Sequence, residues 1–323
     1  MSNKIITMFS FEPYIFVVER RILNVKYLNI IQMKKIFLCI CFVVAGLQPL
    51  LLNAQFRRID SNETIKKEPI DEVQFIVQYQ TKMITDTLNP EKVTDESMIL
   101  KVGAKSSVYY SYTGYVADSI IRREQTPINI NGGQIWLNTQ GINFGINKYQ
   151  IYKNYPTGKV TTLDFIGANH FRCEEENEIP SWQLMSDTMT ILSYSCQKAV
   201  CHFKGRDYEA WFTPEIPRSE GPWKLHGLPG LILKAADSQA HYTFECTGLI
   251  NKNEELLFGA NGYETISRKN LNKINERFAT DPIGFSTSSM PTNTNIKVTY
   301  VNESGNAVNS VKFPYNPIER DEE

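Results

Sequence analysis

Short stretches of alternating apolar and polar residues recur along most of the chain. The clearest runs from residue 73 to residue 79, where every second side chain is large and apolar and would lie on one face of a strand. Further extended stretches are separated by Gly, Pro or Asn and cover residues 98–102, 107–112, 134–138 and 142–152. Strands at such short spacing favour antiparallel structure. The pattern therefore predicts a mostly β fold, built as a curved antiparallel sheet, a half-barrel or a sandwich.

The most regular part of the chain predicts a β-hairpin between residues 191–203 and 208–213. A two-residue Gly-Arg loop would place Lys204 opposite Asp207, with Gly205 in the first loop position, which suits a type II′ turn.

One helix is predicted, over residues 265–280. Leu271, Ile274 and Phe278 recur at helical spacing, and either Thr265 or Ser267 could cap the first turn. The acidic end of the chain, residues 319–323, is expected to be a solvated, mobile tail.

Residues 33–54 have the layout of an export signal. Met33 is followed by Lys34 and Lys35, then by an apolar stretch, and small residues end it at Ala54. The stretch is short for a membrane span and contains the helix-breaking Pro49. We predict cleavage near Ala54. The mature protein would then be periplasmic or secreted, without a membrane-spanning segment.

Residues 1–32 precede this signal, and we interpret them as an upstream extension from a start codon assigned too early. The alternative is a genuine N-terminal segment. Residues 55–323 are predicted to form a single β-rich domain.

The charge of the mature chain argues against nucleic acid as a partner. The full chain has 34 basic and 35 acidic residues; loss of six and two of them with residues 1–54 leaves 28 and 33, a net charge of about −5. No basic stripe is present in the sequence, so we expect no nucleic-acid binding.

Four cysteines remain after removal of the signal, and an even number in an exported protein suggests one or two disulfides. Cys196 and Cys201 are five residues apart in one predicted strand, so they would point to opposite faces about 16 Å apart and could not pair with each other. Each would pair with Cys173 or Cys246, or stay free.

The most unusual stretch of the sequence is a turn flanked by leucines. Pro229 would supply the fixed φ of a type II turn and Gly230 its positive φ. Leu228, Leu231 and Ile232 are expected in the core. The six residues of this hexapeptide are Gly227, Leu228, Pro229, Gly230, Leu231 and Ile232.

This stretch resembles the signature of the GLPGLI family, exported proteins of Gram-negative bacteria named for the hexapeptide. The resemblance extends to three further patterns, Tyr194-x-Cys196-x-Lys198-Ala199, Gly205-Arg206-x-Tyr208-x-x-Trp211 and Gly221-Pro222-Trp223-Lys224. Residues 316–319, Asn-Pro-Ile-Glu, are similar to a terminal motif of many members. The resemblance implies export, a β-rich fold and service beside outer-membrane uptake or peptide-export systems. It implies no catalytic residues and no cofactor.

A binding site is the sharper hypothesis for the aromatic and basic residues in these patterns. Cations interleaved with aromatic rings could hold an apolar, peptidic or lipid-like ligand with an acidic group. The alternative is structural: Arg206 closes a hairpin, and Lys224 covers a tryptophan. The candidate binding residues are Lys198, Arg206, Tyr208, Trp211, Trp223, Lys224 and His226.

The sequence therefore predicts a non-enzymatic ligand-binding or accessory protein of the cell envelope, with a peptide, a lipid or an outer-membrane transport component as partner. One alternative is an envelope hydrolase with a site near Arg206, His226 and Asp237, although no recognised nucleophile motif is present. Another is a purely structural interaction module. No metal site is expected, because Cys196 and Cys201-His202 lack the usual ligand spacing.

Overall fold

The computed structural model describes residues 4–11, 14–21, 66–116, 147–167, 169–288, 300–301, 307–308 and 310–320. The predicted signal at 33–54 and the predicted strand at 134–138 lie outside these ranges. The chain divides into two compact units, and each is described by itself.

Twelve strands of the larger unit form one sheet, and this confirms the mostly β prediction. The sheet is open rather than closed into a barrel. Its strands are β3 (Glu68–Met83), β4 (Thr94–Gly103), β5 (Ser107–Ser111), β6 (Gln150–Lys153), β7 (Lys159–Ile166), β8 (Asn169–Glu176), β9 (Gln183–Ile191), β10 (Tyr194–Phe203), β11 (Arg206–Thr213), β12 (Leu231–Asp237), β13 (Tyr242–Phe258) and β14 (Glu264–Thr265). Their order across the sheet is β14-β8-β7-β6-β5-β4-β3-β13-β12-β11-β10-β9.

Two antiparallel meanders make up this sheet, one from β3 to β8 and the other from β9 to β13. They join where β3 pairs with β13 along nearly its full length, from Tyr242 opposite Met83 to Phe258 opposite Glu68. The exception to antiparallel pairing is the short β14, which runs parallel to β8. Bulges interrupt the β3–β13 pairing at three places, and bulges bend a strand and increase its twist.

The main core lies on one face of the sheet, where the two meanders meet. Tyr79 of β3 is fully buried there, and its hydroxyl donates a hydrogen bond of 2.7 Å to the backbone oxygen of Ile232 in β12. Its ring also meets Tyr109 of β5 edge to face, with 6.3 Å between ring centroids. A second cluster of buried apolar side chains contains Ile76 of β3 and Ile99 of β4.

The hairpin between β10 and β11 is confirmed, but its predicted turn is wrong. The loop residues are Lys204 and Gly205, with φ of 50° and 72°, so the turn has the positive φ values of type I′. Asp207 consequently lies opposite His202 rather than Lys204, and Phe203 pairs with Arg206.

The hexapeptide also turns differently from the prediction. Gly230 does not have a positive φ; its N–H instead donates to the oxygen of Leu228 at 2.7 Å, which closes a γ-turn around Pro229. Glycine is needed at 230 for space, because a Cβ there would lie 2.1 Å from the backbone oxygen of Thr213. The predicted burial of Leu228, Leu231 and Ile232 is confirmed.

The disulfide prediction is not confirmed, because Cys173, Cys196, Cys201 and Cys246 are all buried and free in this structure. The expectation that Cys196 and Cys201 point to opposite faces is wrong, since both belong to the main core. The cause is an irregular register between Gln197 and Ala199, which breaks the alternation of β10.

The predicted helix is confirmed as α1 (Arg268–Thr280). Ser267 is its cap, because its hydroxyl accepts a hydrogen bond of 3.3 Å from the Asn270 N–H, whereas Thr265 belongs to β14. Leu271 is buried, and Ile274 and Phe278 are half-buried. None of the helices in the described ranges has the length and apolar character needed to cross a membrane.

In the smaller unit, the described residues form a four-stranded sheet and one short helix. Its strands are β1 (Lys4–Phe11), β2 (Tyr14–Arg21), β15 (Tyr300–Val301) and β16 (Ala307–Val308), and its helix is α2 (Pro282–Ser288). The first two strands form a hairpin within the predicted N-terminal extension. The interpretation of residues 1–32 as an extension from a start codon assigned too early stays a prediction.

Candidate functional site

The seven candidate binding residues divide into two groups in the structure. Lys198 and Trp211 lie on the partly exposed face of the β10–β11 hairpin, where the lysine Nζ is 2.5 Å from Glu209 and 5.7 Å from the centre of the indole ring. The remaining five, Arg206, Tyr208, Trp223, Lys224 and His226, are all buried.

Arg206 begins β11 and is held from two directions. Its Nη1 donates to Asp237 Oδ2 at 2.7 Å, and the exposed fractions of these two side chains are only 1% and 2%. Its other nitrogens bind residues near the end of the chain: Nε donates to the oxygen of Ile318 at 3.0 Å, and Nη2 donates to Asn316 Oδ1 at 2.7 Å and the oxygen of Pro317 at 2.6 Å. The guanidinium thus joins the sheet to residues that sequence reasoning placed beside a mobile tail.

Lys224, which precedes the hexapeptide, lies in a second charged group. Its Nζ is 2.6 Å from Glu175 of β8 and 2.7 Å from Glu319. Arg268, the first residue of α1, lies 2.6 Å from Glu175 and 3.4 Å from Glu319. The expectation that Glu319 is solvated is wrong, because the residue is 8% exposed.

The pKa directions follow from this geometry. Burial alone would raise the pKa of Glu175, but Lys224 and Arg268 outweigh it and lower that pKa to about 2. Burial, together with the neighbouring Arg268, lowers the pKa of Lys224, while Glu319 and Glu175 oppose this change. The ammonium of Lys224 therefore depends on both carboxylates for its charge.

The C-terminal segment is residues 313–320, and the cradle is the set of side chains Glu175, Arg206, Lys224, Asp237 and Arg268. The cradle holds three cations and two carboxylates, and Glu319 of the C-terminal segment supplies the third carboxylate. Buried charges are tolerated when they are paired, so the segment completes the charge balance of the cradle.

The buried aromatic candidates are part of the core. The Trp223 ring packs on Phe203 and Tyr208, with centroid distances of 5.9 and 6.0 Å. Its backbone φ of 52° is unusual for a bulky residue and has a cost of about 1–3 kcal/mol. The Tyr208 hydroxyl is buried without a hydrogen-bond partner among the described residues.

His226 lines a narrow recess beside the cradle. Its Nδ1 is 2.9 Å from the backbone oxygen of Lys224, and its backbone oxygen accepts a bond of 2.8 Å from the Trp182 Nε1. Burial, with the charge of Lys153, lowers the pKa of His226 and favours the neutral ring. The recess has room for about one water molecule, which is too small for a substrate.

The hydrolase alternative gains no support from this arrangement. Arg206 and Asp237 are paired and closed off, whereas His226 lines the separate recess with Lys224. In the described part of the chain, no three His, Cys, Asp or Glu side chains are grouped so that they could hold a metal ion.

Sequence reasoning missed Glu175, Arg268 and the inward path of the C-terminal segment. Glu175 lies in an acidic run of three glutamates, and such a run usually forms part of the solvated surface. The terminal Asn-Pro-Ile-Glu pattern was the available signal for this path. Its Asn316 and Glu319 offer the acceptors that Arg206 and Lys224 need.

Strand β9 is a different kind of candidate site. It ends the sheet and, within the described residues, pairs only with β10. Six of its nine residues are exposed and none is buried, including Leu184 at 50% exposure. Its one charged residue is Asp187. An exposed, nearly uncharged edge is a surface to which another strand can add.

Comparisons with known proteins add a partial family match. A family model described as "Protein of unknown function (Porph_ging)" matches residues 202–234, from the end of β10 through the hexapeptide. No curated protein matches the chain. The match supports a family of unknown function over this stretch, and the GLPGLI resemblance stays a prediction.

Two solved structures are distantly similar to the chain. One is described as "Structure of PNGF-II in P21 space group", with a TM-score of 0.42, 14% identity, and coverage of 64% of this chain and 33% of that chain. The other, "Structure of PNGF-II in C2 space group", has a TM-score of 0.41, 15% identity, and coverage of 64% and 32%. The similarity thus extends over about a third of those proteins.

Proposed function

We propose that this chain is an exported, non-enzymatic binding protein of the cell envelope, and that it takes an extended peptide segment along β9. The observation that carries the proposal is the open edge of the sheet, where six of nine residues are exposed and one is charged. Backbone groups along such an edge offer affinity for an added strand, and alternate side chains offer selectivity.

The contacts that the basic candidates already make within the chain support the same proposal. Arg206 and Lys224 are already bound to residues of this chain, so a ligand would have to displace those contacts to reach them. The edge strand, in contrast, needs no displacement. Export rests on the signal-like layout of residues 33–54, and service beside an outer-membrane uptake or peptide-export system rests on the family resemblance.

The experiment compares two variants of the purified protein as bait for envelope extract. In the edge variant, Ser186→Lys and Thr188→Lys add two charges at exposed positions of β9, which opposes strand addition. In the matched control, Asn251→Lys and Asn253→Lys add the same charge at exposed positions of the interior strand β13. Bound peptides and proteins are identified by mass spectrometry.

The proposal expects species that the unmodified protein and the control retain and that the edge variant loses by at least about tenfold. Thermal unfolding of both variants should remain close to that of the unmodified protein. Equal retention by the edge variant and the control would exclude β9 as the binding surface.

A further inference from the structure

The C-terminal segment is bound in the way a peptide ligand is bound. Residues 313–317 belong to no strand or helix. Backbone-to-backbone hydrogen bonds anchor the two ends of the segment, from the N–H of Phe313 to the oxygen of Ala279 at 2.7 Å and from the N–H of Arg320 to the oxygen of Lys204 at 3.1 Å. Between these ends, side chains make the contacts.

Asn316 is recognised through both polar groups of its side chain and through its backbone oxygen. Its Oδ1 accepts from Arg206, its Nδ2 donates to the oxygen of Ile84 at 2.8 Å, and its backbone oxygen accepts from the Tyr242 hydroxyl at 2.5 Å. A buried site that satisfies every polar group of one side chain discriminates strongly against analogues that lack those groups.

The backbone between Asn316 and Glu319 is bound as well. The oxygens of Pro317 and Ile318 both accept from Arg206, which fixes the path of the segment, and the partly buried Ile318 side chain packs against the main core. Glu319 then reaches Lys224 and Arg268. The recognised elements are therefore an asparagine, the following two carbonyl groups and a glutamate three residues after the asparagine.

We propose that the cradle is a binding site for an extended Asn-Pro-Ile-Glu segment, which the chain's own C-terminal segment occupies and which the same sequence fills when supplied as a separate peptide. This inference goes beyond the function proposed for β9 and uses a different part of the sheet. Electrostatics favour an occupant that places one carboxylate at the position of Glu319, because the cradle alone has one more cation than carboxylate.

The tethered segment has an effective concentration in the millimolar range, so it should exclude a free peptide from the unmodified protein. Releasing it without changing the cradle should open the site. The tail variant Asn316→Ala/Glu319→Ala does this, since it alters only the occupant. The probe is a fluorescent peptide with the sequence of residues 313–323, and binding is measured by anisotropy on the full chain.

We expect the peptide to bind the tail variant at least about tenfold more tightly than the unmodified protein. A peptide with alanine at the positions of Asn316 and Glu319 should bind the tail variant at least about tenfold more weakly than the natural sequence does. Adding Lys224→Met to the tail variant should weaken binding of the natural peptide by at least about tenfold. Equal binding to both proteins, or no binding to a folded tail variant, would overturn the proposal.

The tail variant could instead fail to fold, and the proposal then makes a different prediction. The free peptide, at about 1 mM, should restore a cooperative thermal transition and the near-ultraviolet circular dichroism of the buried Trp223. The alanine-substituted peptide is the control. Failure of the natural sequence to restore either signal would contradict the proposal.

Discussion

Replacing Glu319 by Gln removes one charge from the buried cluster and keeps the shape of the side chain. In the unmodified protein, Glu319 lies 2.7 Å from the Lys224 ammonium and 3.4 Å from the Arg268 guanidinium, and its side chain is 10% exposed. The variant leaves the three cations of the cradle beside its two carboxylates, Glu175 and Asp237. Glu175 remains 2.6 Å from Lys224, so part of the pairing survives.

The expected cost follows from these contacts. Breaking a buried ion pair by removing one partner costs about 3–5 kcal/mol, and the remaining Glu175 contact reduces this to about 2–3 kcal/mol. For a chain of this size, the midpoint of thermal unfolding should fall by on the order of 5–10 °C. Burial already lowers the pKa of Lys224, and Glu319 and Glu175 oppose this change. The pKa of Lys224 should therefore fall further in the variant, because one of these two carboxylates is lost.

Urea unfolding at neutral pH, followed by tryptophan fluorescence, measures the cost. The matched control is Glu176→Gln, because Glu176 pairs with Lys159 at a site where its side chain is 79% exposed. A surface pair contributes at most about 1 kcal/mol. A loss within about 0.5 kcal/mol of the control would refute the claim that Glu319 balances a buried charge.

Three further predictions concern stability. Gly230→Ala should cost about 3 kcal/mol or more, or prevent folding, because its Cβ would meet the Thr213 oxygen. The control Gly248→Ala, with open space around it, should change the free energy of unfolding by less than about 1 kcal/mol. Equal costs of the two variants in urea unfolding would contradict the close approach at Gly230. Tyr208→Phe removes a buried hydroxyl that has no hydrogen-bond partner among the described residues, so it should leave the free energy of unfolding unchanged or raise it by up to about 1 kcal/mol. A loss above about 1 kcal/mol would show that the hydroxyl is satisfied. Because the folded pKa of Glu175 is lowered to about 2, its contribution to stability is present above about pH 4.5 and is lost as the pH falls toward 2. Between pH 6 and pH 3, urea unfolding should show a decline of about 2 kcal/mol from this group, so the total decline should be weaker in Glu175→Gln; parallel declines would contradict the assignment.

The fold was predictable where alternation is strong. Residues 73–79 predict a strand and lie inside β3, because one face of that strand enters the main core. The strand β9 was missed, since it lies at the sheet edge and has no buried face to impose alternation. The turn after it was missed as well, because Leu192 and Ser193 take positive φ without the glycine or asparagine that usually marks such a turn.

The candidate site was predictable in composition but not in role. Arg206 and Lys224 stand out in the sequence patterns, yet the sequence does not show which residue each cation contacts 95 or more positions away. Their partners come from the C-terminal segment, which in sequence has the polar, charged character of a solvated tail. Only the packing of the sheet reveals that its Glu319 is buried.

Amide hydrogen exchange of residues 313–320, followed by mass spectrometry, tests most directly whether the cradle binds the C-terminal segment. If the segment is bound as described, the amides of Phe313 and Arg320, which donate to the oxygens of Ala279 and Lys204, should exchange at least about a hundredfold more slowly than in a free peptide with the same sequence, and Lys224→Met should remove much of this protection. Exchange at free-peptide rates in the unmodified protein would contradict the account.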